Sequence, residues 1–175
     1  MEKEKNTSNK KENVMRTIKI EKVVLSVGAT AQNLEKGVKL LKYLTGKNPA
    51  KMKSRKRIPS WGVRPGLEIG AVITIRKDAE TIIKRMLAAE DNKLKKKQIS
   101  VNNFSFGIKE YIEIPSVEYQ RDIGIMGLDV TIVFKRVGRR VKLRKIKKGK
   151  IPKRQHISKD EIIDFMKNKF ETEFI

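Results

Sequence analysis

The chain has no cysteine, which excludes disulfides, thiolate metal sites and a cysteine nucleophile together. Its single histidine, His156, has no second histidine or cysteine with which to complete a metal site or a triad. No carboxylate motif points at it, so His156 reads as a tail residue that contacts phosphate or solvent. No window approaches the roughly 18 consecutive apolar residues of a membrane span, and the opening MEKEKNTSNKKEN lacks the apolar core of a signal peptide. These absences predict a soluble, cytoplasmic protein with no membrane partner. Phosphate loops are missing too: there is no Walker or GxGxxG sequence, and Gly124 to Gly127 (GIMG) has no lysine and no helix signal behind it. Neither a cofactor nor a metal is expected. Acid is scarce, with 20 Asp and Glu against 42 Lys and Arg, a formal net charge of +22.

That excess is concentrated. Lys135 to Arg154 (KRVGRRVKLRKIKKGKIPKR) contains 12 basic residues and no acid, and Lys47 to Arg64 (KNPAKMKSRKRIPSWGVR) contains 7, again with no acid, around the only tryptophan, Trp61. Lys and Arg that neutralise phosphates release condensed counterions, so such runs gain affinity from nucleic acid backbones. Cations combined with an aromatic face point to RNA.

At 175 residues the chain is one domain with extensions. The spacing predicts a disordered extension over 1–13, an α+β RNA-binding domain over 14–134, a basic extension over 135–157, and a C-terminal helix and tail over 158–175 docking on the domain. Ile18 to Val27 reads as a strand whose phase changes near Glu21 and Lys22, which a bulge or burial on both faces would explain. Leu34, Val38, Leu41 and Leu44 then mark an amphipathic helix stopped at Gly46. The segment from Lys47 reads as a strand running into a long exposed loop. Ile69, Ala71, Ile73 and Ile75 share one face of a further strand. Asp78 is an expected N-cap for a helix burying Ile82, Ile83, Met86 and Leu87 and ending in the run Lys93 to Lys97. Two more half-buried strands carry Phe104, Phe106 and Ile108, then Leu128, Val130, Ile132 and Phe134. Between them lies an irregular excursion long enough to be functional. Ser158 and Glu161 form a capping box beside an Ile157–Ile162 staple, opening a helix at Lys159 that docks through Ile162, Met166 and Phe170. The fold class is therefore α+β, a mainly antiparallel sheet with helices on one face and the other face open, framed by basic segments.

The phenylalanines at inward strand positions read as core. Trp61 sits among prolines, glycines and cations, where either stacking on a base or anchoring of the loop would use an indole. Asn102 and Asn103 read as turn formers. Glu110, Glu113, Glu118, Asp122 and Asp129 follow no metal-ligand spacing and read as surface charges.

The segments VMRTIKIEKVVLSVG, LTGKNPAKMKSRKRIPSWGVRPGLEIGAVITIR, NNFSFGIKEYIEIP and RDIGIMGLDVTI together resemble the universal large-subunit ribosomal protein L-five family. IPKRQHISKDEIIDFM is similar to its archaeal branch, whose eukaryotic counterpart is called L-eleven. The resemblance runs from about Val14 to Phe170. It implies a non-enzymatic ribosomal constituent that binds 5S ribosomal RNA (rRNA), helps attach it to the large subunit in the central protuberance, and approaches the P-site transfer RNA (tRNA). It also implies neighbouring large-subunit proteins, large-subunit rRNA, and an intersubunit bridge to a small-subunit head protein as partners. Carried over by position, the implied 5S contacts are Ser26, Lys47, Trp61 and Thr74. Ser26 stands where bacterial members usually have asparagine and keeps one hydrogen bond but not an amide pair, and Lys47 stands where the family usually has glutamine, exchanging a polar contact for a phosphate contact. Lys53, Arg55, Lys56 and Arg57 resemble the loop that reaches tRNA. Phosphate contacts to rRNA fall to Arg139, Arg140, Lys142, Arg144, Lys147, Lys148, Lys150, Lys153 and Arg154, in a tail expected to be extended or disordered alone. Two other readings fit parts of the sequence. A general RNA chaperone or annealing protein would bind without a defined site, and a metal-dependent nuclease would lose magnesium-dependent cleavage on substitution of Asp122 or Asp129.

Overall fold

The computed structural model describes residues 13–175, so the expected N-terminal extension lies almost wholly outside the described residues. In chain order the elements are β1 (Lys19–Gly28), α1 (Ala31–Thr45), β2 (Ala50–Lys53), β3 (Glu68–Ile75), α2 (Ala79–Ala88), β4 (Lys93–Leu94), β5 (Ile99–Ser100), β6 (Asn103–Ile108), β7 (Leu128–Lys135), α3 (Arg140–Leu143), α4 (Lys159–Phe170) and β8 (Glu173–Phe174). A six-stranded sheet runs β2-β3-β1-β7-β6-β5 with every neighbouring pair antiparallel, and β4 and β8 form a small parallel pair beside it.

The phase change in β1 is a bulge. Ile20 pairs with Phe134 and Lys22 with Val133, leaving Glu21 as the extra residue. One inserted residue turns Ile20 and the later set Val23, Leu25 and Val27 to the same side. That side joins Ala71, Ile73, Ile75, Phe104, Phe106, Val130, Ile132 and Phe134 in one core with α1, α2 and α4. The helices cover this face because their apolar stripes match it. Leu34, Leu40, Leu41 and Leu44 are buried along α1, Ile83, Met86 and Leu87 along α2, and Ile162, Met166 and Phe170 along α4. Phe165 of α4 meets Phe134 edge to face at 5.6 Å, fixing the terminal helix against β7.

The end of α1 and the start of α4 follow local chemistry, and the start of α2 does not. Gly46 closes α1 in the left-handed conformation at φ 67°, its N–H donating to the Lys42 carbonyl. Ser158 and Glu161 form the expected capping box of α4, with Ile157 and Ile162 fully buried beside it. Asp78 precedes α2 as expected, but it is left-handed at φ 56° and its side chain makes no capping bond. Helix α2 also stops at Ala88, short of the expected basic run. Left-handed Asp91 and Asn92 turn the chain there, so Lys93 begins a strand paired to the C-terminus.

Candidate nucleic-acid interface

The side of the sheet away from the helices is uncovered. Along β1, Lys22, Val24 and Ser26 are half-buried, the last two between buried neighbours, and on β3 Val72 and Thr74 alternate in the same way. Ser26 pairs with Val72 and Val24 with Thr74, so Ser26 and Thr74 are diagonal neighbours on this open face. Two hydroxyls flanked by short aliphatic side chains offer hydrogen bonds on a flat platform. Lys47 stands exposed at the opposite end of α1 from Gly28, immediately after the Gly46 cap.

The loop between β2 and β3 is built rather than slack. At its neck the Ser54 N–H donates to the Leu67 carbonyl at 2.8 Å, and the Gly66 N–H donates to the Ser54 carbonyl at 2.8 Å. The Ser54 hydroxyl donates to the Lys56 carbonyl at 2.7 Å, which curls the chain at the cations. A second closure pairs Ile58 with Val63 around a single turn, Pro59–Trp61, ended by left-handed Gly62. Val63 is 4% exposed and anchors the turn, whereas Trp61 is 77% exposed. Of the two uses open to the indole, loop anchoring is therefore taken by Val63. Lys53, Arg55, Lys56 and Arg57 are exposed around the same neck. Among the described residues none of the four takes part in an ion pair; the nearby pair is Lys51 with Glu68 at 3.1 Å.

The basic extension folds back on the body. Arg136 is buried, its Nη2 bound to Glu161 at 2.6 Å and its Nη1 donating to the Arg154 carbonyl at 3.0 Å. The Glu161 carboxyl lies below the usual glutamate range. Burial works to raise it and is outweighed by the Ser158 backbone N–H, by the Arg136 hydrogen bond and charge, and by the Ser158 side chain. Arg139, expected among the phosphate contacts, is paired with Glu21 at the β1 bulge. The Gln155 amide donates to the Val137 carbonyl at 2.6 Å. His156, read as a simple tail residue, is half-buried, with its Nδ1 2.8 Å from the side-chain amide nitrogen of Asn102. Asn102 is left-handed at φ 66° as a turn former should be, yet its Oδ1 also accepts the Ile157 N–H at 2.8 Å.

Between these anchors the extension is a short helix and a loop instead of a free tail. Arg140, Lys142, Arg144, Lys147, Lys148, Lys150, Lys153 and Arg154 are all exposed on it, and among the described residues none of them is in an ion pair. The anchors Asn102, Arg136, Glu161 and His156 escape sequence reasoning because their partners lie 18 to 55 residues away. Only the capping box gave a signal, and it accounted for Glu161 without its arginine.

The arrangement can bind and orient a polyanion. Among the described residues no three His, Asp or Glu side chains converge as a metal set, and no helix is long and apolar enough to cross a membrane. Compared with known proteins, a family model described as ribosomal protein L5 matches residues 13–64, and a second model, describing the C-terminus of the same ribosomal family, matches residues 68–165. Relatives similar over nearly the full length are named large ribosomal subunit protein uL5. One from Nanoarchaeum equitans is 39% identical over 94% of this chain and 99% of its own. One from Sulfolobus acidocaldarius is 41% identical over 92% and 93%, and one from Pyrobaculum aerophilum is 42% identical over 86% and 87%.

Proposed function

The chain belongs to the ribosomal protein L5 family, archaeal type, as a structural and non-enzymatic constituent of the large ribosomal subunit, and we propose that its role there is to bind 5S rRNA through the open sheet face. In this reading Ser26 and Thr74 hydrogen-bond to the RNA, Lys47 neutralises a phosphate and Trp61 stacks on a base or ribose. These contacts help attach 5S rRNA in the central protuberance. The loop carrying Lys53, Arg55, Lys56 and Arg57 reaches the P-site tRNA. The extension's exposed cations, Arg140 to Arg154, contact rRNA phosphates. Arg139 enters this set already paired with Glu21, so it brings less free charge to a phosphate than its unpaired neighbours. A small-subunit head protein and neighbouring large-subunit proteins complete the partners.

The observation that carries the reading is Trp61. An indole 77% exposed on a doubly closed turn costs solvation without contributing to the core, and the loop that carries it also carries the exposed cations Lys53, Arg55, Lys56 and Arg57. Exposed aromatics held rigidly beside cations are the means by which proteins stack unpaired bases. Phosphate contacts set position and carry little identity, so shape recognition falls to the sheet face and the indole. Trp61→Ala is expected to weaken 5S rRNA binding by about 1–3 kcal/mol while leaving the thermal midpoint unchanged, because little of the ring is buried. Unchanged affinity in a folded variant removes Trp61 from the contact surface.

A further inference from the structure

The one histidine lies where the extension meets the body, and its hydrogen bonding fixes which ring nitrogen carries the proton. Oδ1 of Asn102 accepts the Ile157 N–H at 2.8 Å, so the amide must present its NH2 group to His156 Nδ1, 2.8 Å away. An NH2 group only donates, so Nδ1 accepts and the neutral ring carries its hydrogen on Nε2. His156 also lines a cleft of about 450 Å³ whose other walls are Lys142, Lys148, Gly149, Lys150 and Ile151. No carboxylate lines this cleft or the smaller one adjoining it, which shares Lys142, Ile151 and His156. The cleft is shaped by a closed loop, in which the Gly149 N–H donates to the Val141 carbonyl at 3.1 Å. A Cβ at Gly149 would stand 2.7 Å from Val141 Cγ1, so a larger residue there requires the Val141 side chain to shift.

We propose that this cleft is a built site for a single RNA backbone phosphate, held by Lys142, Lys148 and Lys150 and by the Nε2–H of a neutral His156 that Asn102 locks in that tautomer. The inference rests on the reading that the extension faces RNA and adds to it a specific pocket and a hydrogen-bond donor. Three ammonium groups supply charge without direction. An imidazole N–H held by a second side chain supplies direction, which a phosphodiester oxygen rewards. Asn102 is thus a positioning residue for this contact: it links the turn before β6 to the extension and sets the donor's identity.

Because the chain has one histidine, its ring nitrogens can be followed by 15N NMR in the full-length protein without ambiguity. At about pH 8, where an ordinary imidazole is neutral, the expected spectrum shows an unprotonated Nδ1 and a protonated Nε2. An RNA hairpin unrelated to 5S rRNA should then shift the Nε2–H signal saturably. Lys148→Gln with Lys150→Gln should suppress that shift, leave the tautomer unchanged, and lower the salt slope of hairpin binding by about 0.9, the value for one duplex phosphate. His156→Asn, which keeps an oxygen for Asn102 and, being shorter, withdraws the donor from the Nε2 position, should weaken hairpin binding about 3- to 10-fold. A protonated Nδ1, or a Nε2–H signal unmoved by saturating hairpin, overturns the proposal. An equal, saturable response to inorganic phosphate at matched phosphorus concentration overturns the RNA backbone as the ligand. The hairpin lacks the 5S fold, so a silent His156 beside intact 5S binding removes the cleft and leaves the sheet-face reading standing.

Discussion

Replacing Glu161 by alanine tests how the basic extension is held to the body. The side chain of Arg136 is 5% exposed and that of Glu161 38%, so the substitution strands a buried guanidinium whose remaining bond is to the Arg154 carbonyl. Its Nε already has no hydrogen-bond partner. Breaking a fully buried pair costs about 3–5 kcal/mol, but water reaches the Glu161 side, which reduces the expected loss to about 2 kcal/mol. The variant also loses the bond from the Ser158 N–H to Glu161 Oε2, 3.0 Å long, worth about 1 kcal/mol at a helix start. The sum, about 3 kcal/mol, corresponds to a fall in melting temperature of about 6–12 °C for a chain of this length. Ser158→Ala, which removes only the hydroxyl half of the capping box, should cost about 1 kcal/mol. Urea unfolding of both variants isolates the ion pair. Equal losses for Glu161→Ala and Ser158→Ala would show that the Arg136 pair contributes nothing. The pH dependence has a defined sign. The folded-state carboxyl lies below its ordinary value of 4.5, so this stabilisation is complete above that value and is lost as pH falls through the folded one. The gap between wild type and Glu161→Gln should therefore close on acidification, and a gap that widens instead contradicts the assignment.

Other perturbations separate architecture from binding. A Cβ at Gly127 would lie 2.7 Å from the Lys109 carbonyl oxygen and 2.8 Å from that of Ile108. Neither backbone oxygen can retreat cheaply, so Gly127→Ala should destabilise the fold by about 1–3 kcal/mol in urea; a neutral result would mean the excursion relaxes freely. Neutralising Lys147, Lys148 and Lys150 together should lower the salt slope of binding to many RNAs by about 2, with Lys148 and Lys150 sharing one phosphate; identical slopes remove the extension from the contact. Arg55→Gln with Lys56→Gln and Arg57→Gln should weaken tRNA binding while 5S rRNA affinity changes little, and a parallel loss for both RNAs would merge the loop with the 5S surface.

The strands and helices were legible because their periodicities are local. Alternation at Ile69 to Ile75, the helical stripe from Leu34 to Leu44 and the Ser158 capping box each report a neighbour two to four residues away, and the structure keeps all three. The bulge was half-legible: the phase change at Glu21 was visible, while the choice between a bulge and a doubly buried strand needed the register with β7. Asp78 misled because a carboxylate before a helix is a capping signal only when its backbone is extended, and here it is left-handed. For the site, residue type marked the exposed cations and Trp61. The roles of Asn102, Arg136, Arg139 and His156 stayed hidden, since each depends on tertiary pairing that charge and spacing do not encode. For that reason the reading of His156 as a loose-tail residue missed its bond to Asn102, and that of Arg139 as a phosphate contact missed its pairing with Glu21.

The central claim, a shaped surface for 5S rRNA on the open sheet face, is tested most directly by binding the purified protein to 5S rRNA, a tRNA and a duplex of similar length across a salt series. Tight binding to 5S rRNA that persists at physiological salt while the other two dissociate is the predicted result. Equal and steeply salt-sensitive binding to all three contradicts it, because the basic segments alone would then account for the affinity.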